Sequence, residues 1–158
     1  YKSADPLAGI AFQKEVERRT FKAGGGNWAV PAQNLEDFIG GRISDCFNEN
    51  SYKMGAVAAD LKELFPDFIN ELLLAAFNKW KEEEPLFVSP QAILFGTETR
   101  TSSPVRITRN KNYESVNIKN LYPIGEGSGY SSGITSSATD AVKAVDMKWG
   151  GHGRRLSR

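Results

Sequence analysis

A long run of apolar residues at helical spacing, stopped by two prolines, constrains this fold more than any other feature. Leu61, Leu64, Phe65, Phe68, Ile69, Leu72, Leu73, Ala76, Phe77 and Trp80 recur every three or four positions, the period of one helix face. The spacing predicts helix over 59–65 and again over 66–84, with Pro66 opening the second after a bend. Pro85 and Pro90 then punctuate the chain, and its character changes. Upstream, 5–22 reads as a helix with Asp5 as N-cap, Pro6 in the first turn and Gly24-Gly25-Gly26 as the stop. A short helix is predicted over 31–39, closed by Gly40-Gly41, and a polar loop over 44–52. Downstream, 92–99, 105–108 and 121–124 read as strands, and 134–148 as a helix with Ile134, Ala138, Ala141, Val142 and Val145 on one side. The first ninety residues therefore look helical and the remainder like a piece of an α/β unit.

Composition removes several kinds of chemistry. The chain has 158 residues, with 20 Lys plus Arg against 19 Asp plus Glu. That balance leaves no extended basic field for nucleic acid, so such a partner is not expected. Cys46 is the single cysteine and His152 the single histidine, which disfavours histidine triads, paired-histidine zinc sites and dithiol redox motifs; no metal site is expected. The thiol content fits a reducing compartment, and a cytoplasmic location is expected. The longest strictly apolar run, 72–77, is far short of the roughly 20 residues that cross a bilayer. The first residues carry no basic region followed by an apolar core, and the chain starts at Tyr1, as a processed or truncated chain would.

The most informative stretch is 120–138, Asn-Leu-Tyr-Pro-Ile-Gly-Glu-Gly-Ser-Gly-Tyr-Ser-Ser-Gly-Ile-Thr-Ser-Ser-Ala. A strand, a glycine-rich loop and a helix start in succession bring free backbone N–H groups and the positive helix end toward an anion or a polar ligand edge. It is not the dinucleotide fingerprint, because Gly127-Ser-Gly129 is not followed by a glycine three residues on. The same residues also suit an ordinary tight loop capped by Ser132 or Thr135.

The segment Leu121-Tyr-Pro-Ile-Gly125-Glu126-Gly127-Ser-Gly129-Tyr130-Ser-Ser-Gly133-Ile134 resembles the C-terminal flavin-binding motif of bacterial FAD-dependent, or NAD(FAD)-utilising, dehydrogenases. Three further stretches are similar to that family in the same order. They are Pro6-Leu-Ala-Gly-Ile-Ala-Phe-Gln13 with Glu17, Gly24-Gly-Gly with Pro31-Ala-Gln33, and Glu98-Thr-Arg100-Thr-Ser-Ser-Pro-Val-Arg106-Ile. The resemblance departs from the family pattern at Ser132 and Ala141, where glycines are more familiar. It implies the C-terminal portion of a longer flavoprotein whose Gly-x-Gly-x-x-Gly diphosphate loop lies on an N-terminal portion, the partner this chain lacks. The fold implied is an α+β or α/β fragment: a helical middle-domain part over 5–90, the closing strands and C-terminal helix of an FAD-binding Rossmann-like domain over 91–148, and a flexible basic tail over 149–158.

The resemblance also implies site residues. Glu126, after Gly125, would hydrogen-bond the ribityl chain, and Gly127, Gly129, Tyr130, Gly133, Ile134 and Thr135 would line the flavin edge at the helix start. Arg100 and Arg106 flank a hydroxyl-rich turn and could clamp an anionic substrate, or either could pair with Glu98 as a structural tie. Gln13, Gln33 and Asn34 are candidate cleft amides, with Gln33 carried forward for substrate. The catalytic residues are not identified. FAD is the expected cofactor of the full-length protein and is expected to bind this chain weakly or not at all, with NAD(P)H a possible second cofactor. A small-molecule substrate and a homodimer are also expected. A rival reading makes the chain a non-enzymatic module for protein or RNA, supported by the basic tail His152, Arg154, Arg155 and Arg158.

Overall fold

The computed structural model describes residues 4–150, so the tail residues His152, Arg154, Arg155 and Arg158 lie outside the described residues. The chain divides into two compact units: Lys14–Glu98, here the central unit, and a split unit whose described residues are 4–13 and 99–150. Helix α1 (Ala8–Ala23) contributes residues to both. The fold is α+β, with four α-helices and one three-stranded sheet among the described residues.

The central unit is built on a sheet inside a region that reads as helical. Strand β1 (Val30–Asn34) is the middle strand, parallel to β2 (Ala56–Ala58) and antiparallel to β3 (Ile93–Phe95). The helix expected over 31–39 is thus corrected: 31–34 is strand, and only α2 (Leu35–Gly40) is helical. Pro31 is compatible with a middle strand because of register. Val30 N and Ala32 O serve the β2 side, while Pro31 O faces β3 and accepts from Gly96 N (2.6 Å) just outside the Ala32–Phe95 pair, so the missing N–H falls at the end of that ladder. Strand β3 comes from the expected 92–99 strand, shortened to three residues.

Helix α3 (Asp67–Glu83) follows Pro66 as expected, whereas 59–65 contracts to one 3₁₀ turn, Leu61–Leu64, whose first N–H groups include Lys62 N on the Asp60 carboxylate (3.0 Å). The core joins Leu35, Phe38, Leu61 and Leu64 to Leu73, Leu74, Phe77, Val88 and Leu94. Phe38 and Phe77 meet edge-to-face at 5.9 Å. Of the aromatic residues on the predicted apolar face, Phe77 joins this core, whereas Phe68 and Trp80 remain 50% and 44% exposed.

Gln33 is the polar centre of this unit. It is 0% exposed, its amide nitrogen donates to Arg42 O (2.6 Å), and its amide oxygen accepts from Leu61 N (3.0 Å). That corrects its expected place in a substrate cleft: both ends of the amide are spent tying β1 to the loop after α2 and to the 3₁₀ turn. The expected loop 44–52 is irregular, and Asn34 ties to it through Ser44 Oγ (2.8 Å) and Cys46 O (2.8 Å).

In the split unit, 105–108 and 121–124 are not strands. Their backbone groups find loop partners instead: Ile107 N bonds Ser128 O, Val116 N bonds Thr108 O, and Ser115 N bonds Leu121 O. The glycine-rich segment forms a single 3₁₀ turn, Glu126–Ser128, before helix α4 (Ile134–Trp149), so the strand expected ahead of the loop is corrected to a tied irregular segment. Trp149 closes α4 and Gly150 caps it, so the first two positions of the expected tail are helix end, and the rest of it lies outside the described residues. No helix among the described residues is long and apolar enough to cross a membrane.

Replacing Gln33 with Leu leaves Leu61 N–H and Arg42 C=O without their buried partner, and the expected loss is about 2–3 kcal/mol. Urea denaturation of the wild-type chain and Gln33→Leu measures it.

Candidate functional site

The glycine-rich loop of the split unit is tied to α4 through one ion pair. Arg109 and Asp140 are 31 residues apart and pair through both carboxylate oxygens, Nη1 to Oδ2 at 2.8 Å and Nη2 to Oδ1 at 2.7 Å. Their side chains are 10% and 12% exposed. Arg109 Nη1 also donates to Pro123 O (2.7 Å), and Gly125 N donates to Asp140 Oδ2 (2.9 Å). The guanidinium lies between two rings, Tyr130 at 3.8 Å and Tyr113 at 4.3 Å from the ring centroids. Tyr113 sits at φ +66° to reach it, an uncommon conformation for a bulky side chain. Arg109 holds the Asp140 carboxyl below the usual carboxylate range, aided by the Gly125 N–H and opposed by burial. Asp140 in turn raises the Arg109 pKa.

This cluster escaped the sequence reading. Asp140 sits on α4 away from the apolar side that carries Ile134, Val142 and Val145, the side that helical patterning normally turns to a core. Instead α4 turns Asp140 and Ala144 inward, and Ile134, Val142 and Val145 are exposed. The available signal was an acidic residue at a mid-helix position with small residues at three of its four one-turn neighbours, Ser136, Ser137 and Ala144.

Two glycines set the path of the loop that this pair holds. Gly125 has φ +70° and ψ −159°, a region open almost only to glycine. Gly129 has φ +79°, and a Cβ there would come within 2.3 Å of Val105 O. Between them Gly127 faces open space, with nothing within 4 Å of a notional Cβ.

Two clefts open on this loop. The first, about 410 Å³, is lined by Gln13, Arg100, Ser102, Ser103, Pro104, Glu126 and Gly127. It brings together Glu126, Gly127 and Arg100 with Gln13, one of the candidate cleft amides, whose side-chain nitrogen donates to Thr99 O. The second, about 250 Å³, shares Ser102 and Ser103 and adds Arg106, Gly129, Tyr130, Ser131 and Ser132. Gly125 lines neither cleft, and its N–H is on Asp140. At the start of α4, Gly133 N donates to Ser136 Oγ (3.1 Å), so this amide is already used, while Ile134 is 94% exposed and Thr135 is exposed beside it. Glu98 belongs to the central unit, where it lines an otherwise mostly apolar cavity of about 280 Å³ with Phe38, Phe65 and Phe77. Gln33 also belongs to that unit and lines neither cleft.

Asp140 ionises more easily folded than unfolded, so its contribution is present above the unfolded carboxylate pKa of about 4 and is lost as pH falls through the lower folded value. Asp140→Asn should cost about 1–3 kcal/mol at neutral pH and flatten the acid limb of stability. Thermal melts from pH 7 to pH 2 on both chains check this; an unchanged acid limb contradicts it.

Comparison with known proteins matches residues 1–101 to the family described as FAD-dependent protein, C-terminal domain-like. A protein of Clostridium beijerinckii (strain ATCC 51743 / NCIMB 8052), described as an uncharacterized protein, is 40% identical over 148 residues, which is 92% of this chain and 28% of that protein. The chain thus spans less than a third of the length of that relative.

Proposed function

The chain belongs to the FAD-dependent protein, C-terminal domain-like family, and from that premise we propose that it is the flavin-contacting C-terminal region of an oxidoreductase, supplying ribityl and flavin-edge contacts and part of the substrate cavity. The observation that carries this reading is the first cleft, which joins the carboxylate of Glu126 to the Arg100 guanidinium, the Gln13 amide and the hydroxyls of Ser102 and Ser103 beside the open face of Gly127. The donor set fits a polyhydroxyl chain: a carboxylate accepts from hydroxyls, and serine, glutamine and arginine return donors. Bound there, FAD would supply the hydride chemistry that this chain, with one cysteine and one histidine, does not itself provide.

The chain's own residues hold and orient. Glu126 accepts from ribityl hydroxyls. Gly127 allows close backbone approach, while Gly125 and Gly129 fix the loop that presents it. Ile134 and Thr135 face outward at the positive end of α4. In this reading 91–148 closes an FAD-binding Rossmann-like domain whose diphosphate loop is on a separate N-terminal portion, and 5–90 forms the substrate or lid side. The outward apolar residues of α4, Ile134, Val142, Val145 and Trp149, support a partner surface of that kind. A small-molecule substrate, NAD(P)H as reductant, a cytoplasmic location and a homodimer belong to the same proposal, the last on the strength of β3 as an edge strand.

In a flavin-loaded protein carrying this segment, Glu126→Ala is expected to weaken FAD binding roughly tenfold, the loss of hydrogen bonds to a charged group. Visible flavin absorbance per mole of purified protein reads this directly. Unchanged stoichiometric flavin removes Glu126 from the role. Bleaching of the flavin band by NADH or NADPH tests the reductant separately.

A further inference from the structure

We propose that the second cleft, built around Arg106, is a binding site for a small oxyanion, a carboxylate or a phosphate group. The inference stands on the cleft's own chemistry and does not depend on the flavin assignment.

Arg106 is held in place without being neutralised. Its Nε donates to Gly129 O at 3.0 Å, and its guanidinium carbon lies 4.9 Å from the centroid of the Tyr130 ring. These two contacts orient the guanidinium through one edge and one face, and neither uses the terminal Nη groups. No carboxylate among the described residues pairs with Arg106, whereas Arg109, three residues on, has its own acidic partner in Asp140. The lining of this cleft contains no acidic side chain. Its other polar side chains are hydroxyls, those of Ser102, Ser103, Ser131, Ser132 and Tyr130. Ser103 donates to Val105 O, Ser131 is engaged with Ser137, and the Tyr130 hydroxyl accepts from Arg109 N. Ser102 and Ser132 have no such hydrogen bond among the described residues and supply the remaining donors.

The first cleft differs, because Glu126 lies in it and would repel an anion. The two clefts meet at Ser102 and Ser103, so the hydroxyl turn separates a site suited to a polyol from one suited to an anion. A volume of about 250 Å³ accommodates an oxyanion group on a small molecule and falls below the usual range for an entire cofactor. A fixed guanidinium with two unengaged NH₂ groups recognises planar carboxylate or phosphate oxygens bidentately, which lysine cannot do. Arg106 would bind the anion, and Tyr130, which touches Arg106, would position it.

The test is a titration of the full chain with sodium phosphate and, separately, sodium acetate, followed by ¹H–¹⁵N NMR at constant ionic strength with chloride as the blank. The expected result is a saturable shift of the Arg106 Nε–H and of the Ser102 and Ser132 amides with at least one of the two anions. Arg106→Gln should weaken that binding by about tenfold or more, and Arg106→Lys, which keeps charge without the fork, by a smaller factor. Arg18→Gln, in the central unit, should leave it unchanged. Saturation by phosphate alone assigns a phosphoryl group, and saturation by acetate alone assigns a carboxylate. Shifts no larger than those of chloride, or saturable shifts that survive Arg106→Gln, overturn the proposal. Should Arg106→Gln disturb the α4 amides, Arg106→Lys decides: full wild-type affinity in that variant also overturns it. A defect in flavin binding on Glu126→Ala is read by absorbance and moves independently of this result.

Discussion

The bidentate pair between Arg109 and Asp140 is the interaction on which the rest of the candidate site depends. A buried guanidinium is costly to desolvate, and here that cost is offset from several sides at once: two carboxylate bonds, a backbone carbonyl and two tyrosine faces. Its partners come from separate places along the chain, with Tyr113 and Pro123 ahead of the 3₁₀ turn, Tyr130 after it and Asp140 on α4, and Asp140 accepts in addition from Gly125 N. Satisfying one arginine therefore places the loop against the helix. The pair engages the loop at Gly125, and the next two residues, Glu126 and Gly127, line the first cleft.

The central unit has the same logic with an uncharged group. Gln33 sits at the middle of a three-stranded sheet, and its amide closes bonds to a loop and to a 3₁₀ turn. An amide can satisfy donor and acceptor together without carrying charge into the core. In each unit a largely buried polar side chain thus ties irregular backbone together, Gln33 in one and Arg109 in the other.

Which parts were legible in the sequence follows from the range of the forces involved. Helices α1, α3 and α4 are written in local spacing and stop residues, and the structure has them within a few residues of the expected ends. Strand β1 was read as helix because Pro31-Ala-Gln-Asn has no alternating pattern; its identity comes from β2 and β3, 26 and 63 residues beyond its own first residue. The 105–108 and 121–124 segments failed the other way. Their β-branched residues suggested strands, but their backbone partners are loops. The glycine loop was found because glycine spacing is local, and four of its expected residues, Glu126, Gly127, Gly129 and Tyr130, do line clefts. Arg109 and Asp140 were missed because no local pattern links residues 31 apart.

Arrangement and chemistry then meet in the loop. A family of FAD-dependent proteins supplies the context, and the Arg109–Asp140 pair supplies the rigidity that presenting a fixed set of donors requires. Amide hydrogen exchange tests that claim most directly, comparing the wild-type chain with Asp140→Asn. The account predicts faster exchange at Gly125 and across 126–129 in the variant, with β1 and α3 protected as in the wild type. Equal protection of the loop in both chains would contradict it.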